Sequence, residues 1–167
     1  FEPDSDACES LNIQKHNFHK ASYHPFAIGE KSGKKTLYIT SNNECCSLLE
    51  PNLEWLSRFD YGSFFEIKKK IEIDVRSLDE IEELGKDIDA VKIDSQGMEL
   101  PILRGANDTL KNIFLLEIET GLYKNYHEET TFDEIAPYLR RRGFICMEIK
   151  SQPHWKRKNA SRDWSAS

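Results

Sequence analysis

Between Phe65 and Arg76 the apolar residues Ile67, Ile71, Ile73 and Val75 alternate with charged ones, the period of a half-exposed strand. Tyr23 to Ile28 reads as an earlier strand, and Lys31-Ser32-Gly33-Lys34 turns the chain into another, Thr36 to Thr40. Ser5 to Asn17 has helical spacing, with Ala7, Cys8 and Leu11 on one side. Asn42 to Asn52 is loop-like, and Leu53 to Phe59 has room for one or two helical turns. Ser77-Leu78-Asp79-Glu80 has the form of a capping box; Leu78, Ile81 and Leu84 follow at helical spacing until Gly85 closes the helix.

The centre of the chain is the most informative part. Ile88 to Asp94 is a short, mostly apolar run, as expected of a strand covered on both faces, and Ile113 to Ile118 is a second. Met98 to Lys111 between them is expected to be helical, with Pro101 confined to the first turn, where its missing N–H costs little. Strand, crossover helix and strand within about 30 residues make a parallel β-α-β unit. Thr131 to Glu134 is another capping box, opening a helix that stops at Gly143. Pro137 inside it predicts a kink, or a later start than the cap implies. Phe144 to Ile149 reads as a closing strand. Alternating strands and helices place the chain in the α/β class with a largely parallel sheet.

Composition narrows the function classes. The 167 residues carry 29 acidic and 23 basic side chains, a net charge of −6. That balance argues against general nucleic-acid binding, which leaves a basic footprint. The aromatic fraction of 11% is too high for a disordered tail, and no apolar run nears the ~20 residues of a membrane span. Cys8, Cys45, Cys46 and Cys146 have neither zinc spacing nor the regularity of a disulfide framework, which points to reduced thiols in the cytoplasm. The chain begins Phe1-Glu2-Pro3-Asp4, as if in the last residues of a strand, and is expected to be part of a single domain that continues beyond residues 1–167.

Ligands in open α/β sheets bind beyond the carboxyl ends of the strands, so the residues following each strand are the candidates. Glu2 follows the strand remnant; a carboxylate there offers two acceptors to the vicinal hydroxyls of a ribose. Asp94 ends the central strand, and Gly97 allows a tight turn into the next helix. A carboxylate at Asp94 can take a proton from a hydroxyl, fix an ammonium group or bind a divalent ion; its plainer role is an N-cap, which Ser95 could supply instead. Lys92 and Glu117 each interrupt an apolar strand, and a mutual ion pair accounts for both more simply than catalysis. Glu99 lies in a first helical turn, where the dipole favours an anion. Tyr126 and His127 sit in the loop after the second buried strand; a lone histidine there is ordinarily a surface residue. Lys68 to Lys70 and Arg140 to Arg142 read as solvated faces.

Three segments together resemble the FkbM-type S-adenosylmethionine-dependent methyltransferases: the opening FEPD, VKIDSQGMELPILRGA from Val91 to Ala106, and LLEIETGLY from Leu115 to Tyr123. The loop ending in Ser47-Leu48-Leu49, the Ser77-Leu78-Asp79 turn and the Arg142-Gly143-Phe144 corner follow the same order. The resemblance implies a class I methyltransferase (Rossmann-like) fold: a seven-stranded, mainly parallel sheet with helices on both faces. It places the ribose-binding acid at Glu2, the adenine border at Ala27 and Ile28, and the methyl group and acceptor opposite Asp94 to Gln96. The family's first strand and glycine-rich loop are expected before Phe1, and a further strand after Ser167. The chain by itself is therefore expected to bind the cofactor poorly and to be inactive.

The implied reaction is in-line displacement of the sulfonium methyl by a hydroxyl of a sugar, glycan or related metabolite. Asp94 is the first candidate base, followed by Glu119 and His127. Tyr123 could favour the cationic methyl group by cation–π attraction. Magnesium held by Asp94 and Glu119 is conceivable chemically but has no motif behind it, so no metal is expected. Two rivals stand beside this reading. A degenerate methyltransferase-like module would bind a glycan or protein without turnover, and a nicotinamide dehydrogenase is weakened by the absence of G-x-G-x-x-G.

Overall fold

A computed structural model describes residues 1–14, 19–84, 88–150 and Lys158. Its elements run α1 (Ser5–Ile13), β1 (Ala27–Gly29), β2 (Gly33–Thr40), α2 (Leu53–Leu56), β3 (Ile67–Ser77), β4 (Ala90–Ile93), α3 (Glu99–Arg104), β5 (Leu115–Ile118) and α4 (Phe132–Arg140). The described strands form two small sheets, one ordered β1-β3-β2 and one pairing β4 with β5. The architecture is mixed α/β. The single seven-stranded sheet implied by the resemblance is not formed among the described residues, where the ladders stop at three strands and two.

Contacts group the chain into two compact units. The first holds Phe1–Thr36, Glu72–Ile93 and Pro101–Glu117; the second holds Leu37–Ile71, Asp94–Leu100 and Ile118 onward. In the first, the Asp4 carboxylate opens α1 by accepting the N–H groups of Asp6 and Ala7 at 3.0 and 2.9 Å. The expected helix through Asn17 stops at Ile13, and residues 15–17 lie outside the described set. Ala27, Ile28 and Gly29 pair in parallel with Val75, Arg76 and Ser77. The strand expected from Tyr23 is thus only three residues long. Phe1 and Glu2 are not in a strand, although the Glu2 N–H donates to the His24 carbonyl at 3.0 Å.

The alternation in β3 holds: Ile73, Val75 and Ser77 are buried while Asp74 and Arg76 face solvent. The helix expected after it is not an α-helix. Residues 78–80 and 82–84 are single 3-10 turns, and Gly85 lies outside the described residues. The capping box is spent elsewhere. Ser77 Oγ donates to the Gly105 carbonyl at 2.7 Å, and the Asp79 carboxylate accepts the N–H groups of Asp108 and Thr109 at 2.9 and 2.8 Å.

Those same bonds shorten the crossover helix. It ends at Arg104 rather than Lys111, and a 3-10 turn follows at Thr109–Lys111. A Cβ on Gly105 would stand 2.3 Å from the Gly29 carbonyl, so the chain passes β1 at a distance only glycine allows. The Asp89 carbonyl accepts the N–H groups of both Phe114 and Leu115, which sets the starts of β4 and β5 side by side as a parallel pair requires. The β-α-β unit read from the sequence is therefore present. Its strands are covered on one face only: Ala90, Lys92, Leu115 and Glu117 are exposed. Lys92 and Glu117 do pair, at 3.5 Å, but with both side chains more than 60% exposed. Solvent rather than burial explains their tolerance, and such a pair stabilises by less than about 1 kcal/mol.

In the second unit Cys45, Leu56, Phe65 and Tyr126 form a buried cluster against which Leu49, Trp55 and Tyr61 pack. Among the described residues, isolated antiparallel bridges join Tyr38 of β2 to Ser47 and Pro51 to Tyr126. Helix α4 starts where the cap predicts, the Glu134 carboxylate accepting the Thr131 N–H at 3.2 Å, and it runs through Pro137. Residues 144–149 are not a strand: Ile145, Met147 and Ile149 are exposed, and no ladder partner meets them among the described residues. All four cysteines are free thiols.

Candidate active site

The turn between β4 and α3 is built by a glutamate that folds back over it. Glu99 Oε1 accepts from Ser95 N–H at 3.3 Å, Ser95 Oγ at 2.9 Å and Gly97 N–H at 3.0 Å. The early α3 N–H of Leu100 donates to Thr130 Oγ1 at 3.4 Å rather than to Asp94 or Ser95, and Glu99, which ties the preceding turn, is itself 2% exposed. Burial raises its carboxyl above the ordinary range, against the hydrogen bonds that lower it. The residues inside the turn adopt left-handed backbone, Gln96 at φ 54° and Gly97 at φ 98°. Gly97 has a second constraint, because a Cβ there would meet Glu129 Cγ and Leu49 Cδ1 at 3.0 Å.

Asp94 leaves this turn into solvent, and the Gln96 amide N–H donates to its Oδ1 at 3.0 Å. The far side of the Gln96 amide meets the buried Tyr126, whose hydroxyl lies 3.4 Å from Gln96 Oε1 and donates to the Cys45 carbonyl at 2.9 Å. Ser47 Oγ donates to the Gln96 carbonyl at 2.7 Å. The Tyr126 loop is secured by Glu129, whose Oε2 accepts the N–H groups of Asn125 and Tyr126 at 2.5 and 2.9 Å. Burial pushes the Glu129 carboxyl up to about 7, with the neighbouring Glu99 adding to the rise.

Of the residues singled out from sequence, Asp94 and Gln96 are directly bonded. Glu119 and His127 belong to the same unit; both are exposed, and the His127 N–H donates to the Glu50 carbonyl at 2.8 Å. Glu2, Ala27 and Ile28 belong to the first unit. Glu2 is half-buried, and its Oε1 accepts the Asp4 N–H at 2.9 Å. Ile28 is buried in β1. Beside it Phe26 meets the tilted rings of Phe1 and His24, with the Arg76 guanidinium 4.3 Å above the Phe26 ring.

Sequence reasoning passed over Ser47 and Glu129 and left Tyr126 as a loop residue. A glutamate three positions after Tyr126 can reach back to its own loop's N–H groups, and that local reach is the available signal. Ser47 and Gln96 lie 49 positions apart, and nothing local announces their bond. Among the described residues no three His, Cys, Asp or Glu side chains gather as a metal-binding group, and no helix is long and apolar enough to cross a membrane.

No curated protein and no solved structure matches the chain. The sequence profile of the methyltransferase FkbM domain does match, over residues 1–146, a span that takes in Glu2, the β4–α3 turn and the Tyr126 loop. The chain belongs to the FkbM methyltransferase domain family.

Proposed function

We propose that this domain takes part in S-adenosylmethionine-dependent methyl transfer to a hydroxyl of a sugar, glycan or related metabolite. The match over residues 1–146 carries the reading. The residues fit the adenosine half of such a cofactor. Glu2 is a half-buried carboxylate steadied by the Asp4 N–H, a suitable acceptor for a ribose diol, and Ala27 and Ile28, the first two residues of β1, offer an apolar border for adenine. When bound, the cofactor supplies an electrophilic methyl group on a good leaving group, so the protein's share is positioning and proton removal.

Asp94 carries the proton step. Its exposed carboxylate takes the hydroxyl proton as the acceptor oxygen forms its bond to carbon. Gln96 donates to one carboxylate oxygen, which leaves Oδ2 to turn toward the acceptor. Glu119 and His127 are the second and third candidates, both exposed beyond β5 in the same unit.

Calorimetric titration of the full-length protein with S-adenosylmethionine and with NAD tests the cofactor. Saturable heat with the first alone is expected, and Glu2→Ala should weaken it about ten-fold, the loss of one charge-assisted diol contact. Binding of neither compound leaves the degenerate-module reading standing instead. Transfer of labelled methyl groups to a panel of mono- and oligosaccharides tests the base. Asp94→Asn should lower turnover about 100-fold with cofactor affinity retained, and unchanged turnover removes Asp94 from the role.

A further inference from the structure

We propose that Ser47 and Tyr126 are positioning residues for Asp94, acting through Gln96: two buried hydroxyls from separate loops clamp Gln96 so that its amide N–H stays on the Asp94 carboxylate. The inference rests on reading Asp94 as the base.

Order at Gln96 requires such a clamp. A glutamine side chain loses on the order of 1.5–2 kcal/mol of rotamer freedom when fixed. Its left-handed backbone at φ 54° is a conformation that residues with a Cβ adopt at a cost. Each degree of freedom meets its own restraint. Ser47 Oγ, in a residue 2% exposed, holds the Gln96 carbonyl at 2.7 Å. Glu99 fixes the N–H groups on either side of Gln96, those of Ser95 and Gly97. The side chain is then oriented by its two ends. The Tyr126 hydroxyl faces Oε1 at 3.4 Å while Nε2 faces Asp94 at 3.0 Å, and flipping the amide would set Oε1 against a carboxylate oxygen.

Both hydroxyls are themselves anchored. The Tyr38 N–H donates to the Ser47 carbonyl at 2.8 Å, and the Ser47 N–H returns a bond to Tyr38. Tyr126 is 1% exposed and packs edge-on against Phe65 at 5.6 Å. Its loop is bonded on both sides to residues 50 and 52, through His127 N–H to Glu50 and Asn52 N–H to Asn125. Burial, then nearby thiols and carboxylates, raises the Tyr126 phenol, so the hydroxyl keeps its one proton at neutral pH, shared between the Cys45 carbonyl at 2.9 Å and, as the longer arm, Gln96 Oε1 at 3.4 Å. A phenylalanine would fill the same core; the hydroxyl is what reaches Gln96.

The test follows the Gln96 side-chain amide by ¹⁵N relaxation in the full chain, its resonance assigned from the spectrum of Gln96→Asn. Asparagine keeps the left-handed turn but is one methylene too short to span Asp94 and Tyr126. In the unaltered protein the Nε2 order parameter should be near the rigid limit of about 0.85, and in Tyr126→Phe and Ser47→Ala below about 0.6. Both variants should lower kcat about ten-fold on the sugar turned over fastest, with its KM within about two-fold, as misplacement of a reacting group predicts. Ser47→Ala removes only a hydroxyl and carries the test if Tyr126→Phe does not fold. Unchanged order parameters in the folded variants overturn the clamp. Full turnover in Asp94→Asn with order parameters that still fall overturns the base assignment alone.

Discussion

At Glu129 a single carboxyl couples the loop of Tyr126 to pH. Its ordinary value of 4.5 rises to about 7 because burial penalises the charge and Glu99 repels it, while the N–H groups of Tyr126 and Asn125 and the Lys124 charge oppose the rise. The folded state therefore binds this proton more tightly than the unfolded one. Its contribution to stability is complete below the unfolded value and is lost as pH rises from about 4.5 to about 7. Glu129→Gln keeps an oxygen to accept the two N–H groups but has no charge to desolvate. The variant should melt above the parent at pH 8 and show a flatter melting profile between pH 5 and pH 8; identical profiles in thermal unfolding would refute the assignment. Residue chemistry of this kind was only half legible. Asp94 stood out because a strand end followed by a glycine marks a ligand-facing position, whereas Glu129 became significant only once the chain folded Gly97 and Glu99 against it.

Elements with strong local periods were readable, and those decided by neighbours were not. The alternation in β3 and the cap of α4 depend on adjacent residues, and both stand where the pattern put them. The helices expected after Ser77 and through Lys111 fail for one shared reason. Ser77 and Asp79 direct their polar groups to residues 105, 108 and 109 of the crossover instead of to their own turn. Gly105 lies at the junction, its missing side chain replaced by the Gly29 and Glu30 backbone. Gly105→Ala should cost about 1–3 kcal/mol by overpacking, seen as a lower urea midpoint with an unchanged slope. An alanine that raised the midpoint, as relief of glycine's chain entropy alone would, contradicts the close approach. The closing strand expected at 144–149 shows the same dependence: a period-2 pattern makes a strand only when a ladder partner meets it.

Over the whole molecule the excess of acidic residues, −6 in net charge, predicts that the protein passes through immobilised heparin at physiological salt; retention there would point to a polyanion such as nucleic acid as a partner. The α/β class, the parallel β-α-β unit and the family were all readable from the chain, because each is written in contiguous segments: short apolar runs, the crossover between them, and the phrase from Val91 to Ala106. The division of the strands into a three-stranded and a two-stranded sheet, the exposed face of β4 and β5, and the hydrogen bond from Ser47 to the Gln96 carbonyl were settled only in three dimensions. Local periodicity reports which side of an element is apolar, but not which distant loop supplies a hydroxyl to its end or whether a partner covers its second face. Those outcomes depend on contacts between residues tens of positions apart, and only folding makes them.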